Sequence, residues 1–142
     1  MCGIAGIVAK SGSLDKATLN QFRTAVKLSN HRGPDHFGEH VQENIVLFHQ
    51  RLSILDLDAR SNQPFLSSDK QIISVYNGEV YNFKELAKEE NLKLHTTSDT
   101  EVLVELFSKY GCHTVSTWNG IFAFCALDQK RRKLTLARDR FG

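Results

Sequence analysis

The chain has 142 residues, a length that suits a single domain. Hydrophobic residues make up 41% of it and charged residues 24%, proportions that support a packed core and exclude wholesale disorder. The formal net charge of +2 is too small to indicate nucleic acid or an acidic membrane surface as a partner. No apolar run approaches the roughly 20 residues of a membrane-spanning helix.

In the first half of the chain, a short apolar strand flanked by glycines is predicted over residues 4–8. Residues 14–29 predict an amphipathic helix, because their apolar side chains fall on one helical stripe. Gly33 and Pro34 break the pattern that follows. Further strands are predicted over residues 45–48 and 52–57.

In the second half, a strand over residues 72–76 is predicted to end in a turn at Asn77-Gly78. A short helix is predicted over residues 83–90. Ser98 and Glu101 have the spacing of a capping box, which begins an amphipathic helix that Gly111 ends. Residues 121–127 and 134–137 predict a hairpin around a basic, solvated turn. Strands that cluster in this way favour a layered α+β domain.

The compartment is indicated by the cysteines. The chain holds three of them at wide spacing, which is not the pattern of a disulfide framework. The N-terminus is apolar but lacks the basic segment of a signal peptide. We therefore expect a protein of the reducing cytoplasm.

The most informative single residue is Cys2, which directly follows the initiator Met1. If Met1 is removed, one residue carries both a thiol and a free α-amine. An α-amine has a reference pKa of about 7.7–8.0, so it can accept the thiol proton directly or through one water. If Met1 is retained, that nitrogen is an amide and cannot act as a base. The alternative role for Cys2 is a small apolar residue at the start of a strand.

Five segments, in order and in register, carry a family resemblance. They are Met-Cys-Gly-Ile-Ala-Gly at 1–6, His-Arg-Gly-Pro-Asp at 31–35, Arg-Leu-Ser-Ile-Leu-Asp at 51–56, Asn-Gly-Glu-Val-Tyr-Asn at 77–82 and Ser-Asp-Thr-Glu at 98–101. This set resembles the class II glutamine amidotransferases, which are N-terminal-nucleophile hydrolases. Residues 33–35, 118–124 and 137–142 resemble the asparagine synthetase branch.

The resemblance implies a fold and a reaction. The fold is α+β, a four-layer αββα sandwich that we expect to be incomplete at its C-terminal end. The reaction is hydrolysis of L-glutamine to glutamate and ammonia through a γ-glutamyl thioester on Cys2. Asn77 and Gly78 correspond to the oxyanion hole, where an amide group and a backbone N–H suit the negative charge that develops.

The resemblance also implies how glutamine is held. Arg51 corresponds to the arginine that binds the α-carboxylate, and its planar fork suits that task. Glu79 and Asp99 correspond to the acids around the α-ammonium. The remaining pocket residues are Leu52, Ser53, Ile54 and Leu55.

Each of these residues also has a plainer interpretation. Asn77-Gly78 is a common hairpin turn, and Glu79 is a solvated turn residue in that case. Arg51 is then an exposed ion-pair residue at a strand end. Asp99 would simply complement the dipole at the start of a helix.

No metal site is expected. His31, His36 and His40 lie close in sequence, but the glycines and the proline among them prevent a single helical face, and no cysteine pair has zinc-like spacing. Cys125 lies in an apolar run and is expected in the core. We expect no cofactor in this domain, and ATP and Mg²⁺ only in a synthetase domain.

The domain prediction is a truncated type-2 glutamine amidotransferase domain over 1–142. Domains of this family continue further, and complete enzymes add an ATP-dependent synthetase domain. No nucleotide-binding glycine loop is visible here. The expected partners are L-glutamine and a synthetase domain, in the same polypeptide or in trans, with neither nucleic acid nor membrane. The complete enzyme can be an oligomer.

Two alternatives to the glutaminase half of an asparagine synthetase stay open. One is an amidotransferase of the same type whose ammonia acceptor is different, as in sugar or peptide modification. The other is an inactive glutamine-binding or interaction module.

Overall fold

The computed structural model describes residues 2–141. Met1, whose removal the expected chemistry requires, and Gly142 lie outside the described residues. The strands are β1 Gly3–Val8, β2 His36–Gln42, β3 Ile45–Arg51, β4 Phe65–Leu66, β5 Ile72–Val80, β6 Gly120–Asp128 and β7 Lys133–Arg138. The helices are α1 Lys16–Lys27, α2 Phe83–Glu89 and α3 Asp99–Tyr110, with 3-10 turns at Asn30–Arg32, Ala59–Ser61 and Gly111–Thr117.

The strands form two antiparallel sheets, with the orders β1-β3-β2 and β4-β5-β6-β7. In the first sheet, Gly3 lies opposite Gln50 on β3. This register brings Cys2, the residue before β1, to the C-terminal end of β3. In the second sheet, β6 and β7 form the predicted hairpin, with Leu127 opposite Leu134.

The two sheets face each other across an apolar layer that contains Leu47 of β3, Val75 of β5 and Cys125 of β6. Cys125 is therefore a core residue, as predicted. Helix α1 covers the outer face of the first sheet, where its Val26 packs with Phe48. Helices α2 and α3 cover the outer face of the second sheet, in the largest apolar cluster. The protein is therefore a mixed α+β structure, and both sheets have helices only on their outer sides among the residues described.

Two helices, α1 and α3, begin at residues whose side chains cap the first turn. The Asp15 carboxylate caps α1 by accepting a hydrogen bond from Thr18 N at 2.7 Å. Ser98 caps α3 through Thr100 N, as predicted. Only the Ser98 half of the predicted capping box forms, because the Glu101 carboxylate does not accept a hydrogen bond from Ser98 N. It accepts from the N–H groups of His95 and Thr96 instead, and so fixes the approach to the helix.

The strand predicted over residues 52–57 is wrong. β3 ends at Arg51, because its neighbours end there too: β1 begins opposite Gln50, and β2 begins opposite Arg51. Directly beyond Arg51, no strand of residues 2–141 pairs with the chain. The chain instead forms a loop, here named the pocket loop, over residues 52–62.

The turn predicted at Asn77-Gly78 is also wrong. β5 continues to Val80, with Asn77 opposite Ala123 and Gly78 opposite Phe122. The glycine allows β5 and β6 to approach closely, because a Cβ at position 78 would lie 2.2 Å from the Ile121 carbonyl oxygen. Tertiary pairing with β6 thus overrides the local turn preference of the dipeptide.

Strand β2 was not predicted. Its sequence is polar and contains a glycine, so it lacks the apolar alternation that indicates a strand. It forms because it pairs along its whole length with β3, which is buried throughout. In the part of the chain that the structure covers, no helix has the length and apolar character needed to cross a membrane.

Candidate active site

A cavity of about 120 Å³ lies where β1, β3, β5 and α3 meet. All predicted site residues except Ser53 line it. Other lining residues, which the sequence prediction missed, are Ser61, Gln63, Tyr76, Ser98, Thr100 and Ile121. The fold thus gathers five segments that lie far apart in the chain around one space.

The Cys2 thiol is fixed by the backbone of Leu52. The Leu52 N–H donates to Cys2 Sγ at 3.4 Å, and the thiol lies 3.7 Å from the Leu52 carbonyl oxygen. The start of the pocket loop therefore positions the sulfur.

The His-Arg-Gly-Pro-Asp segment has a role that the sequence alone did not give. The Asp35 carboxylate accepts from Ser53 N at 2.7 Å, and Asp35 N donates to the Arg51 carbonyl oxygen at 3.0 Å. This pair of contacts holds the first residues of the pocket loop. Ser53 is thus outside the cavity, but its backbone is fixed beside it. His31 and Arg32 lie in a 3-10 turn away from the cavity lining.

The Arg51 side chain is 6% exposed and organises the pocket loop from within. Its Nη1 donates to the Asp58 carbonyl oxygen at 2.9 Å and to Asn62 Oδ1 at 2.7 Å. Its Nη2 donates to the carbonyl oxygens of Leu55 and Asp56. The resemblance implies that this guanidinium binds a substrate carboxylate, but its N–H groups already donate to the pocket loop. An incoming carboxylate therefore has to compete with these carbonyl groups.

Asn77 and Gly78 lie side by side on β5 and face the cavity. The Asn77 Oδ1 atom is buried and has no hydrogen-bond partner among the described residues. Leaving such an acceptor unpaired costs roughly 1–3 kcal/mol.

Asp99 supplies a buried carboxylate, 4% exposed, from the first turn of α3. Its Oδ2 accepts from the Tyr76 hydroxyl at 2.7 Å and from Val80 N at 3.2 Å. Burial raises the pKa of Asp99; the three hydrogen bonds from Tyr76, Val80 and Thr100 oppose that rise, and the charge of Glu79 adds to it. Glu79 itself is exposed at the rim of the cavity.

Gln63 links these parts, although no motif marks it in the sequence. Its Oε1 accepts from Tyr76 N at 2.6 Å, and its Nε2 donates to Thr100 Oγ1 at 3.4 Å. Tyr76 directly precedes the Asn-Gly-Glu segment, and Ser98 and Thr100 flank Asp99. Those three could have been inferred from adjacency to predicted site residues, whereas Gln63 could not.

The cavity therefore brings together the thiol of Cys2, the guanidinium of Arg51 and the carboxylates of Glu79 and Asp99. A family model described as "Glutamine amidotransferase domain" matches residues 1–142. The chain belongs to the glutamine amidotransferase domain family. Among the described residues of this amidotransferase domain, no group of three or more His, Cys, Asp or Glu side chains is placed to hold a metal ion. The expected lack of a cofactor stays a prediction.

Individual relatives refine the family assignment. The chain is 38% identical over 144 residues to asparagine synthetase [glutamine-hydrolyzing] 2 of Bacillus subtilis. It is 37% identical over 143 residues to asparagine synthetase [glutamine-hydrolyzing] 1 of Arabidopsis thaliana. It is also 35% identical over 154 residues to amidase chry2 of Gibberella zeae. Each match covers 100% of this chain but only 19%, 24% and 23% of the respective relative.

Proposed function

We propose that this amidotransferase domain hydrolyses L-glutamine to glutamate and ammonia, with Cys2 as the nucleophile once Met1 is removed. The observation that carries the proposal is the sharing of one cavity by Cys2, Arg51, Asn77 and Asp99. These groups come from separate elements, and no simple packing requirement brings a thiol, a guanidinium and a buried carboxylate together.

Substrate recognition follows from charge. Arg51 attracts the α-carboxylate of glutamine, and Glu79 with Asp99 attracts the α-ammonium. A free amino acid carries both groups at a fixed separation, whereas a simple amide carries neither. The pocket is therefore suited to the zwitterion, whose side-chain amide is then directed toward the sulfur.

The reaction is acyl transfer in two steps. The Cys2 thiolate attacks the side-chain amide carbon, and the C–N bond breaks as the α-amine returns its proton to the departing ammonia. Asn77 and Gly78 are the proposed donors to the oxygen that carries the negative charge. Water, deprotonated by the same amine, then attacks the γ-glutamyl thioester and releases glutamate and the thiol.

The fold is proposed to be the four-layer αββα sandwich of N-terminal-nucleophile hydrolases. The support is the order of packing, in which α1, the first sheet, the second sheet and the pair α2 and α3 follow one another. Cys2, the proposed N-terminal nucleophile, directly precedes β1.

The proposed destination of the ammonia is an ATP-dependent synthetase site, in the same polypeptide or in trans, which forms asparagine. The support comes from the relatives, which are named glutamine-hydrolysing asparagine synthetases and are several times longer than this chain. On this proposal residues 1–142 are the amidotransferase part of such an enzyme of the cytoplasm, and ATP and Mg²⁺ bind only at the synthetase part.

A second candidate is favoured by one observation, the match to amidase chry2. The same glutaminase chemistry would then supply ammonia to an acceptor other than aspartate. Feeding ammonia or glutamine to the complete enzyme with different acceptors separates the two candidates.

The glutaminase proposal is tested with a diazo-ketone analogue of glutamine, followed by intact and peptide mass spectrometry. The expected result is loss of Met1 and a single adduct on Cys2, blocked by excess glutamine and absent in Cys2→Ala. Cys125 is an internal control, since burial raises its pKa to about 11 and keeps it unreactive. Cys112 is exposed and reports non-selective alkylation. Retained Met1, or an unmodified mature Cys2, would favour an inactive binding module instead.

A further inference from the structure

We propose that Tyr76 is a positioning residue for the glutamine site: its hydroxyl orients the Asp99 carboxylate toward the substrate α-ammonium. This inference rests on the proposed function and adds a residue to the way the site recognises its substrate.

The contact joins two different elements. Tyr76 lies on β5 and is 3% exposed, and its hydroxyl donates to Asp99 Oδ2 at 2.7 Å. Val80 N, four residues further along the same strand, donates to the same oxygen at 3.2 Å. Two donors on β5 therefore fix one oxygen of a carboxylate that belongs to α3. A carboxylate has about four acceptor positions, so Asp99 retains capacity for a cation in the cavity.

Helix α3 does not need Asp99 as its cap. Ser98 fills that position by accepting from Thr100 N at 3.2 Å. An aspartate in a first helical turn is otherwise free to turn toward the helix N–H groups. The Tyr76 hydroxyl is the side-chain donor that draws its Oδ2 atom toward the second sheet, in addition to the backbone contact with Thr100.

Tyr76 is itself held from two other directions. Its N–H donates to Gln63 Oε1 at 2.6 Å, and its carbonyl oxygen lies 3.2 Å from His49 Nε2. Burial, and secondarily the charge of Asp99, raises the pKa of the Tyr76 hydroxyl well above its usual value. The hydroxyl therefore keeps its proton and acts only as a donor toward the carboxylate.

The test uses Tyr76→Phe with two substrates, glutamine and glutaramate, which is glutamine without its α-amino group. The expected result is a rise of about ten-fold in KM for glutamine, with kcat changed by less than about three-fold. Turnover of glutaramate should not change, because it presents no ammonium to Asp99. Tyr110→Phe is the matched control, since Tyr110 also donates to a carboxylate, that of Glu90, outside the cavity.

A structural role for Tyr76 would give a different pattern. Equal losses for glutamine and glutaramate, or no loss for either, would overturn the proposal. In an Asp99→Asn background, Tyr76→Phe should add little further loss for glutamine. If Tyr76→Phe lowers the unfolding midpoint too far for assay, Tyr76→Met fills a similar volume without a donor and replaces it.

Calorimetric binding in a Cys2→Ala background separates this proposal from the glutaminase proposal. There, glutamine should bind Tyr76→Phe about ten-fold more weakly than the parent, and glutaramate equally to both. That outcome would support the role of Tyr76 even if the mature chain does not turn over glutamine. Equal affinity of the parent for glutamine and glutaramate would overturn it.

Discussion

The Asp56 carboxylate accepts a hydrogen bond from Thr97 N at 2.7 Å, and this contact joins the pocket loop to the residue just before the cap of α3. The Thr97 hydroxyl and the Arg60 guanidinium engage the same oxygen. Arg51 stands at one end of this connection and Asp99 at the other. The relative placement of the two charges that bracket the cavity therefore depends on Asp56.

Replacing Asp56 should change how stability depends on pH. The pKa of Asp56 is lowered from 3.8 to about 2, chiefly by the Thr97 N–H and further by Arg60. A lowered folded-state pKa contributes stability that is complete above about pH 4 and is lost as the pH falls toward 2. Asp56→Asn should therefore unfold at a lower temperature than the parent at pH 7, and the difference should shrink below pH 4. Asp58→Asn is the control, and the same pattern there would contradict the assignment.

Arg51→Lys should loosen the pocket loop as well as weaken substrate binding. A lysine keeps the charge but cannot make the four hydrogen bonds that the two Nη atoms make with residues 55–62. The expected result is a loss of about 1–3 kcal/mol in the free energy of unfolding. Hydrogen exchange of the loop amides should accelerate. Arg60→Lys, at a side chain 52% exposed, should change exchange little. Unchanged loop protection in Arg51→Lys would refute the structural role.

Asn77→Ala tests the proposed oxyanion hole. Removing one such donor lowers kcat by about 10²–10³-fold, with a much smaller effect on KM. Asn82→Ala is the matched control, because the Asn82 amide bonds Thr117 O and Asn119 N outside the cavity. A variant that loses substrate affinity rather than turnover would place Asn77 in ground-state binding instead.

His49 should add a second decrease in folding stability as the pH falls, at a higher pH than that of Asp56. It is fully buried between the sheets, and burial lowers its pKa from 6.5 to about 4, with the charges of Arg51 and His36 adding to the effect. The unfolded chain takes up this proton first, so stability should fall by on the order of 3 kcal/mol between pH 6.5 and 4. His49→Gln should flatten that slope of the unfolding midpoint against pH. His113→Gln, at an exposed position, should leave it unchanged.

The motifs predicted which residues line the cavity better than they predicted the backbone conformation there. Asn77 and Gly78 both line it, but in strand β5 and not in the expected turn, which the dipeptide favours only locally. Their strand conformation comes from pairing with Ala123 and Phe122, which lie more than 40 residues later in the chain. Nothing within β5 itself encodes that pairing, so local propensity predicted the wrong backbone conformation for these two residues.

In the pocket loop, too, the sequence predicted the residues at the cavity but not their backbone conformation. Its sequence is apolar enough to predict a strand, yet Ile54 and Leu57 are exposed, and the loop backbone is held by Cys2, Asp35 and Arg51 rather than by a neighbouring strand. Gln63 and Tyr76 were missed because they act through contacts with Thr100 and Asp99 on another element.

By itself, the sequence determined the helices, the closing hairpin, the family and the residues for which binding of the glutamine zwitterion and attack on its amide are proposed. These depend on local periodicity, capping and motif chemistry, which are written in adjacent residues. Only the tertiary structure decided that Arg51 is shared with a loop, that Asp56 ties that loop to α3, and that Tyr76 meets Asp99. Those contacts join residues between 4 and 41 positions apart, so they exist only after the two sheets and α3 have packed around the cavity.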